Sequence, residues 1–283
     1  MDLNSRELAA LVWLLLFALW AARIPSVRRS VPSVLGALVR PRVSVVLALM
    51  GAYVVAAVLG LQRLGLWNLS QLKDTLVWTI VFAFLALFEV PNISKNPALL
   101  KTEIRKVISI ALIVAFFVNW YVMSFWLEFL LQPILAMVVL VPLAMGTSPE
   151  HARVSSVFGA IQAAIGLSIF AFVLVNVIAD LRSVASLQTL RDLALPAVLT
   201  ILYVPFLYGL SLYAAYDSLF GWFRIFIPHE AVRAYARRRT VTLCHMRLSR
   251  LVGWSQHATA ARWKTKDAVD ASVRDFRHGA QAA

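Results

Sequence analysis

Carboxylates and thiols are what this chain has least of. It holds 14 Asp and Glu against 27 Lys and Arg, and its one cysteine is Cys244. A lone cysteine excludes an intrachain disulfide. Charged residues reach only 14% and hydrophobic residues 61%, against about a quarter and about half in ordinary globular chains. This balance predicts a polytopic membrane protein with no large soluble domain.

The few acids are also in the wrong places for ion-coupled work. Glu89, Glu128, Asp180 and Asp217 fall at or near the ends of apolar runs, whereas a proton relay or coupled carrier needs an ionisable group deeper in the bilayer. No histidine lies inside a run, which argues against an intramembrane metal site or a Ser–His pair. The last run has no lysine for a retinal Schiff base. HExxH, GxSxG and Walker loops are missing too. These absences predict a protein that is not an enzyme, with no catalytic residue, cofactor or metal.

What is present is a series of uncharged stretches near the ~18 residues that mark a spanning helix. They predict an all-α bundle of about seven transmembrane helices. The spans lie at about 8–22, 43–61, 75–90, two within 107–145, then 157–179 and 193–216. The 107–145 stretch is too long for one crossing and predicts a tight turn at Glu128–Pro133. The short fifth span beyond that turn carries Pro142 and could re-enter instead. The first run follows Asp2 and Glu7 with only Arg6, a poor secretory signal, so it is expected to stay as a membrane helix.

Basic residues orient the bundle. With the amino terminus outside and the chain alternating, the outward segments hold Arg6, Arg63, Lys73, Arg182 and Arg191. The other 22 of the 27 lysines and arginines, and all five histidines, fall inside. Residues 1–227 then form the membrane bundle. Residues 228–283 form a basic cytosolic tail, helical in part. The boundary falls within 193–239, where an uncharged run ends at Asp217 and the aromatic residues Phe220, Trp222, Phe223 and Phe226 read as an interface.

Three residue sets are candidate sites. The first is Arg233, Arg237, Arg238, Arg239, Arg247 and Arg250 in the tail, where Val232, Ala236, Leu243, Met246, Leu251, Trp254, Ala258 and Ala261 recur at helical spacing. Such an amphipathic basic helix suits anionic lipid at the inner face or an acidic cytosolic protein. Nucleic acid is disfavoured, because no recognition motif accompanies the charge. The second set is Ser44, Ala48, Ala52, Ala56 and Gly60, repeated in kind by Ser156, Ala160, Ala164 and Ser168. Small residues four apart let helices approach closely, within a bundle or between copies in a homo-oligomer. The third set is Asn119, Gln162 and Asn176, uncharged polar residues inside spans. They are more often interhelical hydrogen bonds than the lining of a path.

The expectation is a multi-pass protein of the cell membrane, plasma or bacterial inner. It would be a non-enzymatic sensor or anchor that couples helix packing to cytosolic partners through its basic tail. The alternative is a channel or transporter subunit whose path is lined by the polar residues of spans four and six.

Overall fold

The computed structural model of the protein describes residues 4–102, 123–145, 152–179, 187–260 and 263–282. Among these residues every regular element is helical. Six helices are long and apolar enough to cross a membrane. The chain is thus an all-α, multi-pass membrane protein. It divides into two compact units, Met1–Gly51 with Ser109–Ala194, and Ala52–Ile108 with Leu195–Ala283. Residues 107–122, which carry the expected fourth span and Asn119, lie outside the described residues.

The first unit begins with α1 (Ser5–Arg23). Its start is a capping box in which the Asn4 side chain accepts from the Glu7 amide and Glu7 accepts in return from the Asn4 amide, satisfying two otherwise orphaned donors. The proline-bearing loop expected next contains a helix, α2 (Pro25–Leu38), with Pro25 in its first turn, where no amide partner is lost. Helix α3 (Pro41–Arg63) starts in this unit. Helix α7 (Phe125–Met145) runs unbroken through Glu128 and Pro133, so the turn expected at Glu128–Pro133 is corrected. The non-helical residues before it are Met123 and Ser124. The expected fifth span therefore lies within a helix of 21 residues that is long and apolar enough to cross a membrane.

Proline is tolerated inside α7 because a partner outside the helix compensates for it. Pro133 has no N–H, so the carbonyl four residues back, on Phe129, loses its helical donor. Trp13 of α1 donates to that carbonyl at 2.8 Å and stacks on the Phe129 ring at 5.0 Å. At the same end Arg6 grips the buried Glu128 carboxylate through two nitrogens, at 2.7 and 2.9 Å. Gln132 donates to the Arg6 carbonyl. Glu128 also sits in the first turn of α7, where the helix dipole favours an anion. Helix α8 (Ala152–Ala179) completes the long helices of this unit with the start of α9 (Leu187–Phe226).

The second unit contains a candidate span of mixed helical type. A 3-10 turn (Leu69–Gln71) leads to α4 (Leu72–Trp78), a π-helical turn (Thr79–Ala83) and α5 (Phe84–Leu87). Thr75 and Thr79 each bond back to the carbonyl four residues earlier, a contact that loosens a helix locally. After α5 comes the short α6 (Val90–Lys95). Helix α9 has 40 residues, about 60 Å of rise against a hydrocarbon core of about 30 Å. Three helices follow it: α10 (Glu230–Cys244), α11 (Leu248–Ala260) and α12 (Lys266–Ala282).

Candidate functional site

The candidate site is the lower half of α9 with the helices that fold back on it. Ile227, Pro228 and His229 break the helix, and α10 returns beside α9 as an antiparallel partner. The contacts run in order along the pair. Arg233 donates to the Arg224 carbonyl, Arg237 lies over the Phe220 ring at 5.5 Å, and Tyr216 donates to the His245 carbonyl at 2.7 Å. Furthest back, the Tyr208 hydroxyl donates to the Met246 carbonyl and accepts from the Leu248 amide at 3.0 Å. Two tyrosines of one helix thus clamp the α10–α11 turn. His245 in that turn has φ 48°, a sparsely populated conformation for a residue with a Cβ. Bonds to its own carbonyl and to the next one hold it there.

This hairpin gives the end of α9 protein partners. The uncharged run to Tyr216 reads as lipid-facing throughout, and Phe220–Phe226 as an interface. Instead Leu212, Leu219, Phe223 and Ile227 are core residues of a helical module, packed with Val232, Ala236, Leu243, Leu248, Leu251 and Trp254. Apolar character alone cannot tell lipid from a protein core.

The module is well closed. Trp254 is fully buried, donates to Thr240 at 2.9 Å, stacks on Trp263 at 5.7 Å and meets the edge of Phe276. Trp263 donates to Ser272 of α12. Tyr235 and Arg239 of α10 both reach the Asp270 carboxylate of α12, at 2.7 and 2.6 Å. The Tyr235 hydrogen bond, then Arg239, hold the Asp270 carboxyl below its usual range. The bond to Asp270 correspondingly raises the Tyr235 hydroxyl. Burial pushes the Cys244 thiol up to about 12. Ile93 of α6 joins the same core, so the segment after the Leu69–Leu87 candidate span packs with the carboxyl tail.

The six tail arginines separate by role. Arg237 and Arg239 are engaged within the module, on Phe220 and Asp270. Arg233 reaches a backbone carbonyl, and Arg250 is half-buried. Arg238 and Arg247 are exposed. Of the expected apolar positions, Val232, Ala236, Leu243, Leu251, Trp254 and Ala258 are buried, but Met246 is 74% exposed; Ala261 lies outside the described residues.

The small-residue stripes, Ser44, Ala48, Ala52, Ala56 and Gly60 on α3 and Ser156, Ala160, Ala164 and Ser168 on α8, are all exposed. On α3 the buried face is instead that of Met50, Val54 and Leu61. Gln162 is exposed, and Asn176 bonds to the Phe172 carbonyl of its own helix.

A second cluster lies higher on α9, and sequence reasoning misses it. Trp78 donates to Thr200, which donates to the Pro196 carbonyl. Tyr203 donates to the carbonyl of Ala83, the last residue of the π-helical turn, and Tyr53 of α3 donates to the Leu202 carbonyl. Tyr53, Val54, Ala57, Trp78, Leu199 and Tyr203 line a shallow apolar cleft here. A π-helical turn often marks a functional segment. The signal available in sequence is hydroxyls and indoles inside apolar runs, which must find partners in a dry setting. No protein-family model matches the chain, and neither a curated protein nor a solved structure matches it.

Proposed function

We propose that this protein is a non-catalytic sensor or anchor of the cell membrane. Helix α9 carries changes in membrane packing to a basic module on the cytosolic face. One observation carries the reading. The same unbroken helix makes the Thr200–Tyr203 bonds within the bundle and the Tyr208 and Tyr216 bonds to the α10–α11 turn. A shift of the helix at the upper cluster is thereby passed to the clamp through the turn of helix between them, which carries Pro205.

Seven crossings with the amino terminus outside suit this arrangement. The Arg6–Glu128 pair starts α1 and α7 at one face. An odd number of crossings must then separate the end of α1 from the start of α7. Two candidate spans, Pro41–Arg63 and Leu69–Leu87, lie between them among the described residues. The seven-span reading supplies the third from the uncharged stretch after Lys106. The partners implied are an acidic cytosolic protein and anionic lipid, with the exposed small-residue stripes as the place for a second copy.

Hydrogen exchange of the full chain in nanodiscs tests the coupling. Thr200→Val with Tyr203→Phe is expected to speed exchange in α10 and α11, although neither residue touches them. Unchanged exchange there, with altered exchange confined to the upper cluster, would falsify the proposal.

A further inference from the structure

We infer that the α10–α11 turn is a lipid-inserted tip, with Val241 and Met246 entering the acyl boundary and Arg238 and Arg247 binding anionic headgroup phosphates. The inference rests on the membrane-spanning reading of α9 and adds to it which part of the module meets lipid.

The length of α9 places the boundary. Arg191 and Asp192 stand before the uncharged run, and about 20 residues of helix from there cover the ~30 Å of hydrocarbon. That ends near Leu212, between Tyr208 and Tyr213, and tyrosine is enriched at this depth. The Tyr208 and Tyr216 bonds hold the α10–α11 turn beside the same stretch. The turn therefore sits at headgroup depth, while the rest of the module hangs below in water.

Its surface fits that position. Met246 is 74% exposed and Val241 48%, with Tyr213 65% exposed on α9. An apolar tip of this kind is a liability in water and favourable in lipid. Arg238, one turn before Val241, and Arg247, next to Met246, are exposed on the same end. The turn belongs to a segment, residues 231–266, without one carboxylate, so its charge complements phosphate and repels no anion. Arginine favours phosphate through its forked donors, and its long stem lets the head rise to the headgroups while the tip dips.

Collision accessibility of a nitroxide on the full chain in nanodiscs is the test. Labels are placed at Met246→Cys or Val241→Cys, in a Cys244→Ala background. Val55→Cys serves as the lipid-facing reference and His278→Cys as the aqueous one. Both tip labels are expected to favour oxygen over a water-soluble nickel relaxant, more so when phosphatidylglycerol is added to phosphatidylcholine. Arg238→Gln and Arg247→Gln are each expected to lower the retention of phosphatidylglycerol over phosphatidylcholine roughly fivefold. Tip labels that match His278→Cys in both membranes overturn the inference and leave the turn to a protein partner. Equal lipid retention by the arginine variants overturns its charge component. If Val55→Cys itself reads as aqueous, the membrane-spanning reading fails instead.

Discussion

Trp254 concentrates the stability of the carboxyl-terminal helical module. Its ring is fully buried against Trp263 and Phe276, and its indole nitrogen is satisfied by Thr240. Trp254→Ala leaves both a cavity and an orphaned hydroxyl, and should cost about 3–5 kcal/mol. The expected outcome is protease cleavage throughout residues 230–282 with the membrane helices still intact. Cys244 gives a second residue-scale prediction. It is 1% exposed and burial lifts its thiol to about 12, so the reactive thiolate is scarce at neutral pH. Maleimide should label it only after denaturant opens the module, and rapid labelling of the native protein would contradict so closed a core. Asp270 gives a third. Its carboxyl is held low in the folded state by Tyr235 and Arg239. The stability it contributes is complete above the ordinary aspartate range and is lost as pH falls through the lowered folded value. Asp270→Asn should therefore weaken α12 docking at neutral pH and flatten its acid-side decline, read by Trp263 fluorescence. Tyr235 acts with the opposite sense, since its raised hydroxyl stabilises below its ordinary range and ceases to as pH rises through the folded value.

At the scale of elements, α7 shows how a proline can be accommodated within a spanning helix. The carbonyl that Pro133 leaves without a donor is the one that Trp13 meets. Trp13→Phe keeps the ring stack but strands that carbonyl, at about 0.6–2 kcal/mol. Pro133→Ala restores the helical N–H, so the double variant should recover most of the loss in a thermal unfolding series. If Pro133→Ala brings no recovery in the Trp13→Phe background, the carbonyl is not what Trp13 serves. The hydroxyls of α9 follow the same logic, since Tyr203, Tyr208 and Tyr216 each take a backbone carbonyl as partner. Such partners are not legible in the sequence. Tyr216 is visible on one face of the last span, but the residue that meets it, His245, is 29 positions away and reaches it only because α10 doubles back.

For the whole molecule, the proposed assignment of segments to the two faces of the membrane rests on the charge bias. Cysteines introduced at Ser33 and Gln281 should both be labelled from the cytosol. One at Asn68, after α3, should be labelled only from outside. Labelling of Gln281 and Asn68 from the same side would break the proposed alternation. Ile93 packs in one core with α10 and α11, as that proposal requires of the segment after Leu87 and the tail.

Helicity, the apolar runs and the crowding of arginine toward the carboxyl end are readable from residue order, since helix period, bilayer thickness and the charge bias act on local sequence. Whether an apolar stretch meets lipid or protein is not, because both solvents select the same side chains. Leu212 reads as lipid-facing and Phe223 as interfacial, and both are core residues of a helical module. Arg237 and Arg239 look like docking charges and are taken up by Phe220 and Asp270. Glu128 and Pro133 look like a turn and lie inside a helix, where Arg6 meets the carboxylate and Trp13 the stranded carbonyl. In each case the deciding partner comes from a distant part of the chain, and only folding brings it within hydrogen-bonding or packing distance.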